Sequence, residues 1–247
     1  MTEPRKVHEA PGFQLLFAQG ERPDHPAIAD FIGDDGQIAI VHEDREEGVI
    51  ELLDSGFTFD LVGLVPTHRI PAIEAENLFD VERSPDRSGL EALLLKPGQH
   101  LSGGSHLQPV MRKLVDVACR FVRHFDNLVA IGWTPASSAM GAQYFDSVAS
   151  DWIGGGPFPA LGLTAFREGT DGSIESVGLT HWIGQEIRIE PPLSTDRVEA
   201  TRLGVRLVNH LVDAGPVEGA ERLTAPDGGP LVLRGTAGER FIRVRRE

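Results

Sequence analysis

The stretch from 91 to 133 constrains the fold more than any other part of the chain. An unbroken apolar run, Ala92 to Leu95, is followed by a glycine-containing loop, a periodic segment and a second apolar run over 127–133. In the periodic segment Val110, Leu114, Val117, Phe121 and Phe125 recur at helical spacing. That pattern predicts a helix over 109–125 with Phe121 in the middle of its buried stripe. Lys113, Asp116, Arg120 and His124 share another face of it. Apolar runs without polar alternation predict strands buried on both faces. Strand, helix, strand is a βαβ unit, and a right-handed crossover makes its two strands parallel.

Around this unit short apolar runs alternate with turn signals. Strands are predicted over 13–18, 37–42 and 160–166, and a hairpin over 49–65 turns at Asp54, Ser55 and Gly56. A helix over 26–33 starts from Asp24, has Pro26 in its first turn and stops at Gly36. Another covers 141–153, with Phe145, Val148 and Trp152 on one face. The last covers 195–213, capped by Ser194 or Thr195 and stopped by Gly215 and Pro216, with Val198, Leu203, Leu207 and Leu211 as its stripe. A turn at 169–172 pairs 160–166 with a strand from 173. Gly184 is expected at positive φ, joining a strand through Trp182 to an alternating strand over 185–190. Two short strands near 230–234 and 240–245 follow. The least regular stretch, 66–90, carries Pro66, Pro71 and Pro85 and is the linker candidate. The fold class is therefore α+β, with mixed parallel and antiparallel sheets and helices. Two similar β-α-β-β halves, 1–90 and 91–247, are expected to pack together or share one sheet.

Charge bounds the partners of such a chain. The 247 residues carry a formal net charge of −14. Residues 1–103 hold 8 Lys/Arg against 20 Asp/Glu, a balance of −12, while 104–247 hold 15 against 17, a balance of −2. The first part repels nucleic acid and anionic lipid and steers a basic protein, so a protein partner is expected. The single cysteine, Cys119, permits no internal disulfide. Its place off the helix stripe makes it a small half-buried filler rather than a reactive thiol. Apolar stretches reach about six residues, against the ~20 of a membrane span. With no signal-like core near its start, the chain is expected in the cytoplasm. The end of the chain, 234–247, sets five arginines largely against apolar Ile242 and Val244 and reads as a strand with one solvated face.

The dinucleotide, phosphate-loop, zinc-protease, paired-cysteine and nucleophile-elbow motifs do not occur, and no cofactor or metal is expected. Weaker constellations remain. Ser105 and His106 follow glycines just before a helix; the loop reads as an anion-holding backbone, as a nucleophile beside a base, or as a plain capping loop. Trp133 ends a buried strand, where open α/β sheets place ligands. Trp152 precedes three glycines, and Trp182 lies between His181 and Glu186, a pair suited to acid and base work. Each tryptophan is a candidate binding residue or an aromatic core anchor. Glu43, Asp44, Glu46 and Glu47 offer hard oxygen atoms without the spacing of a calcium loop. They read as a solvated turn able to face a partner.

The segments Ala130 to Pro135, Tyr144-Phe145, Trp152 to Pro159, Gly178-Leu179 and Gly184 to Ile189 occur in that order. Together with the Pro226 to Gly229 hairpin they resemble a bacterial domain-of-unknown-function family, the one numbered 4261. The resemblance covers about residues 106–245, and more loosely Val62 to Pro66 with Ile70-Pro71. The family usually has Phe where Trp182 stands. The resemblance implies a bacterial, cytoplasmic α+β protein and brings no activity and no catalytic residues. Two functions are therefore carried forward. One is a non-catalytic protein-interaction module; the other is a small-molecule hydrolase with a His/Glu or Ser/His site near Trp133.

Overall fold

The structure, a computed structural model, describes residues 11–81, 89–236 and 238–247. Two compact units divide the chain. The first holds the described residues up to Thr134 together with Ala139–Gly156, and the second holds Pro135–Ser138 and Pro157–Glu247. Each has its own sheet, so the α+β class holds, with antiparallel and parallel pairing both present.

In the first unit the strands are β1 (Phe13–Phe17), β2 (Ala39–Asp44), β3 (Val49–Asp54), β4 (Phe57–Val62), β5 (Asn77–Phe79), β6 (Glu91–Pro97), β7 (Leu128–Trp133) and β8 (Ser138–Gly141), and the helices are α1 (His25–Asp35), α2 (Gln108–His124) and α3 (Ala142–Ile153). The sheet runs β2-β3-β4-β6-β1-β7-β8-β5. β6 and β7 are parallel, as the βαβ reading requires, but β1 lies between them and is antiparallel to both. Leu15 pairs with Leu93 on one side and with Ile131 on the other. Three central strands thus share the burial that their unbroken apolar runs demand.

The pleat sends alternate residues to two layers. Phe13 and Phe17 meet the helical side, with ring centroids 5.5 Å from Phe145 and 6.2 Å from Phe125. Leu16, Leu94 and Ala130 face the opposite layer with Ile70 and Ile73. That layer is the irregular stretch read as a linker. Ile70 bridges to Ala92, and buried Gln14 takes the Ile73 N–H at 2.7 Å and donates to the Pro71 carbonyl at 3.2 Å. Proline-punctuated chain makes little regular structure, yet its aliphatic side chains can still cover an apolar sheet face. The stretch is a cover, not a linker, and a boundary at residue 90 would cut through the sheet; Pro85 lies outside the described residues.

α1 begins as predicted, with Asp24 accepting the Ala27 N–H at 3.0 Å, and ends on Gly36 at φ 70°. α2 buries Phe121 completely against Phe31, centroids 4.7 Å apart. Its polar face is tied down by Arg120, which reaches Asp35 at 2.9 Å and Asp116 at 3.1 Å. Cys119 is fully buried rather than half-buried. Burial first, and then Asp146, pushes its thiol up to about 12. Ellman's reagent at about pH 8 should therefore leave Cys119 untouched in the folded chain and titrate it on denaturation. Native-state labelling as fast as a free thiol would contradict this packing.

The second unit contains one-turn helices α4 (Ala160–Leu163) and α5 (Thr180–Ile183), the long α6 (Arg197–Ala214), and strands β9 (Ala165–Glu168), β10 (Ile174–Val177), β11 (Glu186–Ile189), β12 (Gly219–Thr224), β13 (Pro230–Gly235) and β14 (Phe241–Arg246). The sheet order is β12-β13-β14-β11-β10-β9, with β11 and β14 parallel. Residues 160–163 turn before the strand begins, because Thr164 returns its hydroxyl to the Ala160 carbonyl at 2.6 Å. Trp182 lies on a helical turn rather than a strand, while Gly184 takes φ 78° as expected. Asp196 caps α6 through the Val198 and Glu199 N–H groups at 2.9 and 3.1 Å. Ser194 instead donates to the Gly172 carbonyl at 2.6 Å. Leu203, Leu207 and Leu211 are buried as predicted, but Val198, in the first turn, is 58% exposed. Among the described residues no helix is long and apolar enough to cross a membrane.

Candidate functional site

The residues singled out from sequence fall into three groups. The tryptophans are core anchors: Trp133 and Trp152 are 0% and 1% exposed in the first unit, and Trp182 is 7% exposed in the second. Trp133 packs on Phe13 at 4.7 Å, the Arg112 guanidinium lies 4.5 Å over the Trp152 ring, and Trp182 meets Phe158 edge-on at 4.8 Å. Rings so enclosed offer no face to a ligand, which corrects their reading as binding residues.

Ser105 and His106 sit on the loop before α2 in the first unit, with Ser105 half-buried and His106 exposed. Gly104 and Leu107 spend their N–H groups on the carbonyls of Leu101 and Gly104, at 2.9 and 3.0 Å. His181 and Glu186 belong to the second unit. The His181 ring lies edge-on to Trp182 at 5.5 Å. Glu186 is 4% exposed, and its carboxylate is surrounded by donors. Gly178 and Thr180 donate backbone N–H to Oε1 at 2.9 and 3.1 Å; Leu179 donates to Oε2 at 3.2 Å, as does the Ser176 hydroxyl. Ser176 Oγ in turn accepts the Ile187 N–H at 2.8 Å. The free N–H groups opening α5 converge on this one anion, which closes the turn between β10 and β11. Gly178, at φ 91°, has no room for a side chain against Ala136, 3.0 Å from where a Cβ would stand. The signature around Glu186 thus builds a turn, and Glu186 has no oxygen left for a substrate proton.

The third group stays on the surface. Glu43, Glu46 and Glu47 are exposed around the β2–β3 turn. Asp44 is half-buried and holds the turn, accepting the Glu46 and Glu47 N–H groups at 3.0 Å each. Glu43 lies 3.5 Å from the His25 ring and from exposed Arg45, and Glu47 lies 3.4 Å from the His68 ring. β2 is an edge strand, and Val41 on it is 49% exposed.

A surface of opposite sign was not singled out from sequence. In the second unit Ile187, Ile189, Ile242 and Val244, all fully buried, share one face of the sheet, and α6 packs against β10 and β11. The strand alternation sends Arg188, Arg234, Arg243 and Arg245 to the other face. Register sets Arg243 opposite Arg188 on one side and opposite Arg234 on the other. Glu175 brackets Arg167 and Arg188 at 3.0 and 2.9 Å, and Glu190 brackets Arg243, at 3.2 Å, and Arg245. Arg245 first, then Arg243, holds the Glu190 carboxyl below the usual range. Asp171 is held at about 2 by the Ser173 hydroxyl and then Arg188, and Asp227 at about 2 by Arg246 and then the Gly229 N–H. Round the end of α6, a separate groove of about 1050 Å³ is mixed in charge, with Arg202, Arg206 and Arg246 along its walls beside Asp196, Glu199 and Asp227. The alternation in the terminal strand announced one solvated face, and Arg234 lies in the same stretch, but Arg188 comes from a strand far away in sequence.

Among the described residues no cluster of three or more His, Cys, Asp or Glu side chains could hold a metal ion. No family model, no curated protein and no solved structure matches the chain.

Proposed function

We propose that this protein is a non-catalytic interaction module, an adaptor, immunity-type protein or assembly subunit, that takes a basic protein partner on its acidic β2–β3 hairpin. The observation carrying this reading is the display of Glu43, Glu46 and Glu47 on a turn that Asp44 holds from within. Fixed, exposed like charges steer an oppositely charged partner, and a −12 balance over residues 1–103 extends the field beyond the turn. The hydrolase alternative loses support because Glu186 is fully engaged and Trp133 is enclosed.

Affinity purification from the native host should yield a stoichiometric basic partner. Reversing Glu43, Glu46 and Glu47 to lysine should change stability by less than ~0.5 kcal/mol, as solvated surface charges do. Association with that partner should slow, and the difference should shrink as salt shortens the Debye length to ~8 Å or less. An on-rate indifferent to both salt and reversal would leave the acidity with a solubility role alone.

A further inference from the structure

The open face of the second unit's sheet has a charge pattern that the fold itself does not need. Across strands β13, β14 and β11 the row reads Arg234, Arg243, Arg188, with each pair in direct register. Like charges placed opposite each other on a sheet oppose folding. Three acids relieve the row in part: Glu175 and Glu190 each serve two arginines, and Asp171 also pairs with Arg188. Arg234 has no ion-pair partner among the described residues. Arg222 borders the same face and pairs with Glu247 at 2.6 Å. The side chains of Arg243 and Arg245 are 57% exposed and that of Arg222 77%, so the face is open to solvent. A hollow of about 390 Å³ lies among Arg222, Arg234, Arg243 and Arg245, floored by Val232 and Ala220.

We propose that this face holds an extended acidic segment of a partner protein, laid along β14. Arg243 and Arg245 stand two residues apart on one strand, and same-side carboxylates of an extended peptide repeat at the same ~7 Å. Arg234 and Arg243 supply a second dimension one strand spacing away, ~4.8 Å. Guanidinium forks bind carboxylates in pairs, and Glu190 already demonstrates that geometry on this face. The row spans too many strands to be matched by a single phosphate. A nucleic acid would meet the −14 net charge without a stacking platform, because among the described residues the one aromatic ring on this face, Phe241, is half-buried with the Arg240 and Arg188 guanidiniums 4.9 and 5.8 Å from its centroid. The site belongs to the second unit and the acidic hairpin to the first, so it gives the protein a second, oppositely charged docking surface.

The test is fluorescence anisotropy of a labelled alternating glutamate–serine peptide titrated with the full chain at low salt. Binding should weaken about tenfold in Arg234→Ala with Arg243→Ala, and again as salt is raised. Arg234→Ala alone removes no ion pair, so it should fold normally and still weaken the peptide. Arg202→Ala, on α6 away from this face, should leave affinity unchanged. Three outcomes would overturn the proposal. They are affinity equal in wild type and the double variant, a single-stranded oligonucleotide of equal charge outcompeting the peptide, or sedimentation showing that a second copy of the chain occupies the face.

Discussion

Glu186→Gln should destabilise the second unit by roughly 3–5 kcal/mol, with Glu186→Ala at least as severe. The carboxylate is buried and accepts from three backbone N–H groups and one hydroxyl. Glutamine keeps the shape but presents an NH₂ donor to donors already aimed at it, so at least one N–H is orphaned on each side of the mismatch. Alanine orphans them all, and water is excluded from the site. Chemical denaturation would read the loss. Hydrogen exchange at Gly178, Leu179 and Thr180 would localise it, because those amides should lose protection well before the strands of the same sheet. A loss under about 1 kcal/mol with the three amides still protected would mean that the turn holds without its central anion.

The same turn shows where sequence reasoning stops. Gly184 at positive φ was legible, since glycine before a strand is a local signal and local signals survive folding. The work of Glu186 was not, because a lone glutamate five residues after a histidine has the composition of an acid–base pair and only the tertiary path of 176–180 reveals its partners. The α2 stripe was legible for the same local reason as the glycine. The position of β1 between β6 and β7 was not, since Leu15 pairs with residues far along the chain, at Leu93 and Ile131, and nothing near it in sequence carries that information. The linker reading failed on a different point. Prolines report the lack of regular structure, not the lack of burial, and Ile70 and Ile73 are anchored on the sheet. β12 was missed because Gly219–Thr224 is an edge strand with little apolar alternation. The arginine row was legible only in part: the arginines of 234–247 announced a solvated face, but Arg188 joins them across a strand pairing that nothing near them in sequence reports.

Phe121→Ala in α2 is expected to cost the first unit about 3–5 kcal/mol, the usual toll of truncating a fully buried phenylalanine. Phe121 is 0% exposed, and its ring meets Phe31 of α1 at 4.7 Å and Phe125 at 5.9 Å. Removing it takes away the surface on which α1 rests, so the void is shared by two helices and cannot be refilled by a single rotamer change. The loss should therefore show in two ways. Denaturant midpoint should fall with little change in the slope, the signature of lower stability with the same exposed area. Amides of α1 should exchange faster than those of β1 and β6, because the helix loses its contact while the strands keep theirs. Phe121→Leu, which fills most of the space, should cost clearly less. A loss for Phe121→Ala below about 1 kcal/mol would place the ring outside the load of the core, and the helix stripe could then not be what packs α2 on the sheet.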